Sequence, residues 1–143
     1  YKRQMITIGN FEDNLGWLAE CDWVIEVVVE NLKIKQDLFA KVEKIVKPTC
    51  IVSTNTSGLP IADISAKFGK SLKERFLGTH FFNPPRYMKL LEIIPGKETK
   101  KEVVDFMIKF GEEVLGKGIV VCKDVLKFVG NRIGVYDISK AVR

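Results

Sequence analysis

The sequence is short of the residues that staple or metallate a small protein. It has one histidine and three cysteines in 143 residues, and Cys21, Cys50 and Cys122 stand far apart with no CxxC among them. An odd, dispersed set in apolar surroundings argues against a disulfide framework, and His80 alone gives zinc no ligand set. Free buried thiols in a reducing compartment are expected, hence a cytoplasmic location. No stretch approaches the roughly 20 apolar residues of a membrane span. The start, Tyr1-Lys2-Arg3-Gln4-Met5, is not a signal peptide and has no initiator Met, which predicts a piece of a longer chain. Internal repeats and low-complexity runs are also missing. The 23 basic residues outnumber the 18 acidic ones, but they are scattered and form no basic-aromatic module. The net charge of +5 therefore implies mild attraction of an anionic ligand, not nucleic-acid binding.

What is present is an ordinary globular balance, 46% hydrophobic and 29% charged, in a length suited to one domain. Apolar runs alternate with amphipathic stretches. Strands are predicted at Met5–Ile8, Trp23–Val29, Cys50–Thr54, Phe76–Phe82, Leu90–Ile94 and Ile119–Cys122. The near-continuous apolar run of Trp23–Val29 suits a parallel strand buried on both faces. Helices are predicted at Phe11–Glu20, Leu32–Val46 (stopped by Pro48), Ile61–Phe68 (opened by Pro60), from a Thr99-Lys100-Lys101-Glu102 capping box to Gly116, and from about Lys127 toward Arg143. The fourth of these puts Val103, Phe106, Met107, Phe110 and Val114 on one face, and the last does so with Val129, Ile133 and Tyr136. Strand–helix alternation implies an α/β fold with a mostly parallel, doubly wound sheet. The two strands around Asn83-Pro84-Pro85 have no helix between them and are expected to form an antiparallel or irregular excursion at one end.

Ligands of open α/β sheets bind at the carboxyl ends of strands. Glu30-Asn31, Asn55-Thr56-Ser57, His80 with Asn83, and Glu92 all fall there or inside a strand. By residue type alone, His80 is either a satisfied core histidine or a general base, since an unperturbed imidazole titrates near neutral pH. Glu92 lies between Leu90-Leu91 and Ile93-Ile94, where an unpaired charge is costly, so a partner is expected, either His80 or a lysine. On residue type alone Ser57 reads as a turn or cap residue before Pro60 ahead of a functional one, and Asn131 as solvated or a polar contact between helices. Gly116-Lys117-Gly118 begins like a GxGxxG fingerprint but follows a helix and precedes a strand, so it is a helix stop.

Together these motifs resemble the L-3-hydroxyacyl-CoA dehydrogenase family. The resemblance is carried by Val27-Val28-Val29-Glu30-Asn31-Leu32-Lys33, Ser53-Thr54-Asn55-Thr56-Ser57, Gly78-Thr79-His80-Phe81-Phe82-Asn83-Pro84, Met88–Ile94, and Cys122-Lys123-Asp124 with Asn131-Arg132. It implies a Rossmann-like NAD-binding domain over 1–124 and the start of a helical domain over 125–143. It further implies that His80 is the base, Glu92 its orienting carboxylate, and Ser57 and Asn131 the groups that position an acyl-CoA substrate. Glu30, Lys35, Ser57 and Asn83 correspond to NAD-contacting positions.

The departures from the family are equally specific. The chain has no strand–GxGxxG–helix unit, no acidic ribose-binding residue after a second strand, and no lysine/serine region for CoA. Where the family usually reads Thr-Pro-Gly/Asn-Phe, this chain reads Val125-Leu126-Lys127-Phe128. The expectation is a partial cofactor domain, weak or inactive alone, that self-associates through an exposed sheet edge. The alternatives are a non-catalytic self-associating domain and a related NAD-dependent hydroxy-acid dehydrogenase.

Overall fold

Every strand of the sheet is short, none longer than six residues. The computed structural model describes residues 5–141. Tyr1–Gln4 and the last two positions of the predicted C-terminal helix lie outside the described residues. Five strands, β1 (Trp23–Glu26), β2 (Ile51–Thr54), β3 (Phe76–Phe81), β4 (Leu90–Pro95) and β5 (Gly118–Val121), lie side by side in chain order. All neighbours are parallel except β3 and β4. The expected α/β, mostly parallel, Rossmann-like arrangement is therefore present. The antiparallel pair is not at one end, because β4 takes β5 as a parallel partner on its other side.

The helices are α1 (Leu32–Val42), α2 (Ile61–Ile64), α3 (Lys70–Lys73), α4 (Lys101–Glu113) and α5 (Gly130–Ala141). Two apolar clusters lie on the sheet. In one, Phe39 of α1, Phe68 and Phe76 of β3 meet edge to face with centroids 4.9–5.3 Å apart. The other joins Leu77, Ile93 and Met107 of α4, with Trp23 against its margin.

Several predicted elements are shorter or differently packed. Met5–Ile8 forms no strand and is exposed. Phe11–Glu20 is a 3-10 turn over Leu15–Glu20 only, preceded by a turn in which Asn10 Oδ1 accepts from Glu12 and Asp13 N–H and Asn14 Oδ1 accepts from Asn10 N–H. β1 stops at Glu26, whose carboxylate accepts from the N–H of Val28 and draws the chain out of the ladder. It is an edge strand among the described residues, with Val27 and Val29 exposed, and so is not buried on both faces. α1 ends at Val42, and tighter bonds such as Ile45 N–H to Val42 O lead to Pro48. The helix expected over Ile61–Phe68 is only the single turn α2, closed by the Ser65 hydroxyl donating back to Ile61 O, and α3 follows as a separate turn that was not expected.

The Thr99 capping box does not form. Thr99 Oγ1 instead donates to Phe76 O and accepts from Gly96 N–H, which ties the start of α4 to β3. On α4 the buried positions are Met107 and Gly111, while Phe106 and Val114 point outward. A Cβ on Gly111 would come within 2.5 Å of Ile119 Cδ1, so the glycine is what lets the helix approach β5. The expected apolar face of α5 (Val129, Ile133, Tyr136) covers nothing among the described residues.

Candidate active site

The antiparallel register puts His80 of β3 directly opposite Glu92 of β4. His80 Nδ1 lies 2.7 Å from Glu92 Oε2, with both side chains buried. The other carboxylate oxygen, Oε1, accepts from Gly130 N–H at 2.8 Å, Val129 N–H at 3.0 Å and the Cys122 thiol at 3.4 Å. Burial pushes the Glu92 carboxyl upward. The bonds from His80, Gly130, Val129 and Cys122 together outweigh burial and hold it below the ordinary glutamate value. An ionised Glu92 accepts from Nδ1–H of His80 and so leaves Nε2 with the free lone pair. The Cys122 thiol is pushed up to about 11 by burial and by the Glu92 charge, so it stays a donor.

The two amide donors to Oε1 stand at the start of α5, and the corner that delivers them has an unusual backbone. Lys127 and Phe128 have φ of +63° and +48°, although neither is glycine. Phe128 is buried beside the His80 ring, with centroids 5.7 Å apart. The Phe82 ring packs on His80 from another side, at 4.6 Å.

A cleft of about 570 Å³ opens beside His80, with Ser57, Asn83 and Asn131 on its wall along with apolar Ile25, Val27 and Phe82. Asn131 Nδ2 donates to Ser57 O at 3.3 Å. A second cleft of about 590 Å³ shares Ser57, Phe82 and Asn131 and extends along α5 past Glu30. The structure thus brings His80, Glu92, Ser57, Asn83 and Asn131 together. Glu30 stands on the rim, its side chain half exposed, and Oε1 accepts from Thr56 Oγ1, Ser57 N–H and Gly58 N–H. Burial raises its carboxyl, but these bonds and the Lys35 charge bring it below the ordinary value. Lys35 lies deeper than a ligand-contacting residue. It is 1% exposed, with its ammonium held by both oxygens of Glu26 at 2.8 and 2.9 Å.

Three further residues were given no structural role from the sequence. Asn55 Oδ1 accepts from Phe81 N–H at 2.9 Å and locks the carboxyl ends of β2 and β3 together. Asp124 accepts from Ile61 and Ala62 N–H, and Lys117 donates to Pro85 O and Met88 O behind the Asn83 loop. A lone aspartate after a strand and a lysine between two glycines carry no pattern that marks them, because their partners are distant backbone atoms.

Residues 2–125 match the protein family described as 3-hydroxyacyl-CoA dehydrogenase, NAD binding domain. The chain belongs to this family. It is 52% identical over 138 residues to a protein of Bacillus subtilis named "Probable 3-hydroxyacyl-CoA dehydrogenase", an alignment that spans 96% of this chain and 18% of that protein. A Deinococcus radiodurans protein of the same name is 48% identical over 142 residues, 99% of this chain and 41% of the relative. The crystal structure of 3-hydroxybutyryl-CoA dehydrogenase from Escherichia coli superposes with a TM-score of 0.82 at 36% identity, over 88% of this chain and 26% of that one. The chain therefore spans less than half the length of these relatives.

As an NAD-binding domain of the 3-hydroxyacyl-CoA dehydrogenase family, the chain has residues that fit one end of the cofactor. A flat ring bearing an amide needs apolar walls with hydrogen-bonding groups at the rim, and the cleft beside His80 offers Ile25, Val27 and Phe82 with Ser57 and Asn83. The 143 residues contain no GxGxxG turn to cradle a pyrophosphate. No helix among the described residues is long and apolar enough to cross a membrane.

Proposed function

We propose that, in the whole protein, this domain carries the acid–base half of the oxidation of L-3-hydroxyacyl-CoA to 3-ketoacyl-CoA in fatty-acid oxidation. The single observation behind this reading is the buried His80–Glu92 pair at the mouth of a cleft that also holds Ser57 and Asn131. His80 Nε2 accepts the proton of the 3-hydroxyl, and Glu92 orients the ring and stabilises the imidazolium that results. Ser57 and Asn131 hold the reacting oxygen. Phe82 and Phe128 exclude water from the imidazole. Glu30, Ser57 and Asn83 line the cofactor side, with Lys35 supporting them from beneath. NAD⁺, when bound, supplies the acceptor for the hydride that leaves C3.

The test is reduction of acetoacetyl-CoA by NADH in the full-length protein, compared with free acetoacetate. Turnover of the thioester and none of the free acid is expected. Equal turnover of the free acid would instead point to a hydroxy-acid dehydrogenase. The 143-residue chain by itself is expected to bind NADH weakly, since no helix N-terminus preceded by a GxGxxG turn is there for the pyrophosphate. Micromolar binding in a fluorescence titration would overturn that expectation.

A specific observation favours self-association as well. The open side of β1 borders a cleft of about 590 Å³ lined largely by apolar side chains, including Phe11, Trp17, Leu18 and Val24. An unpaired edge beside apolar surface invites a second chain. Light scattering of the 143-residue chain is expected to show dimers or larger species, and a clean monomer would count against it.

A further inference from the structure

Thr56 has no part in the reaction described above, yet it is 1% exposed beside exposed Ser57. Its hydroxyl donates to Glu30 Oε1 and accepts from Leu59 N–H at 3.0 Å. The same Glu30 oxygen accepts from Ser57 N–H at 2.9 Å and Gly58 N–H at 3.0 Å. Glu30 Oε2 lies 3.3 Å from the Lys35 ammonium. Lys35 is in turn fixed by Glu26, and Glu26 Oε2 accepts from the Thr54 hydroxyl at 2.6 Å. A continuous polar chain thus runs from the end of β2 through β1 and α1 and back to the turn that carries Ser57. Its members satisfy one another inside the protein, and only Ser57 and the rim of Glu30 reach the clefts.

We infer that Thr56, with Glu30 and buried Lys35, is the positioning unit for Ser57. It sets where the Ser57 hydroxyl stands relative to His80, and its buried members Thr56 and Lys35 touch no ligand themselves. The inference rests on the reading of Ser57 as a ligand-contacting group. A single hydroxyl is required because it must donate to a carboxylate and accept from an amide at once, which only serine or threonine does at this size. Valine has the same shape and neither capacity. It would leave Leu59 N–H and one Glu30 interaction unmade in a buried turn.

The test uses the full-length protein with acetoacetyl-CoA and NADH. Thr56→Val is expected to raise the KM for acetoacetyl-CoA about tenfold with kcat within about threefold, and Thr56→Ser to restore KM to within about twofold. Wild-type kinetics in Thr56→Val, or equal damage in both variants, would overturn the inference. Ser57→Ala is measured in parallel. If it changes nothing, the reading of Ser57 falls and the inference with it. If it impairs turnover while Thr56→Val does not, the inference falls alone. Should Thr56→Val fail to fold, Thr56→Ala takes its place, since it removes the same hydroxyl without crowding the turn. A KM raised severalfold with an intact thermal transition is expected there, and an unchanged KM overturns the inference.

Discussion

Glu92 holds His80 with one carboxylate oxygen and the backbone of Gly130 with the other. The bonds are 2.7 and 2.8 Å long, and Gly130 is 38 residues further along the chain. The imidazole is therefore oriented by a group that is itself oriented by the first turn of α5. Three kinds of donor (imidazole, backbone amide and thiol) converge on a carboxylate with no exposure to solvent, which is what keeps a buried charge tolerable.

Replacing either partner separates the two roles. His80→Asn removes the proton acceptor and is expected to lower kcat by roughly 10²–10⁴-fold. Glu92→Gln keeps the shape but not the charge, and a smaller loss, on the order of 10²-fold in kcat with KM nearly unchanged, is expected. Steady-state kinetics of the full-length variants check both, and a Glu92→Gln loss confined to KM would contradict the orienting role.

Acid should weaken the fold through the same carboxylate. Glu92 is held below its ordinary value of 4.5 in the folded protein, and Glu30 shifts the same way. A lowered folded pKa means that the stabilisation is complete above the unfolded value and is lost as pH falls through the folded one. The thermal midpoint should thus drop below about pH 4.5 and fall less steeply in Glu92→Gln. Melts followed by circular dichroism from pH 3 to 7 measure this, and a steeper acid limb in the variant would reverse the sign.

The corner before α5 carries a backbone conformation that glycine adopts without penalty. Lys127 has φ +63° and an exposed side chain. Lys127→Gly is expected to stabilise the protein by about 0.5–1 kcal/mol, the relief of left-handed strain less the added freedom of the unfolded chain. Urea unfolding gives the value directly. Destabilisation would mean that the lysine side chain contributes more than its backbone conformation costs.

Gly130 is a place where one methyl group matters. A Cβ there would sit 2.6 Å from Phe82 Cζ, and Phe82 packs on His80. Gly130→Ala is expected to push Phe82 aside, cost about 1–3 kcal/mol and lower turnover about tenfold. Phe82→Leu in the same chain should recover part of the loss. A double-mutant cycle with strict additivity would show that the two residues do not couple.

The elements legible in the sequence are those with strong local patterns. The strands carrying His80 and Glu92, and their pairing, followed from apolar runs, a short Pro-containing link and the cost of an unpaired charge among leucines and isoleucines. The limits of those elements were not legible, because they are set by distant groups. β1 ends where Glu26 turns to Lys35 and Val28, and the capping box at Thr99 fails because its hydroxyl is taken by Phe76 O. Lys35 was expected at the cofactor from the resemblance alone, and nothing in its local sequence marks it as the buried lysine that the fold places between two glutamates. On α5 the apolar spacing is genuine, but spacing cannot say what the face packs against.

The tie between Glu92 and α5 also fixes an order of events during synthesis. A nascent chain that has emerged only through Cys122 already contains both His80 and Glu92. It lacks the two amides that receive Oε1, so that oxygen has only the weak thiol of Cys122 to face. The pair is completed only when residues 129 and 130 have left the ribosome and docked. The buried pair therefore gains its full set of donors only after every residue of the sheet has been made.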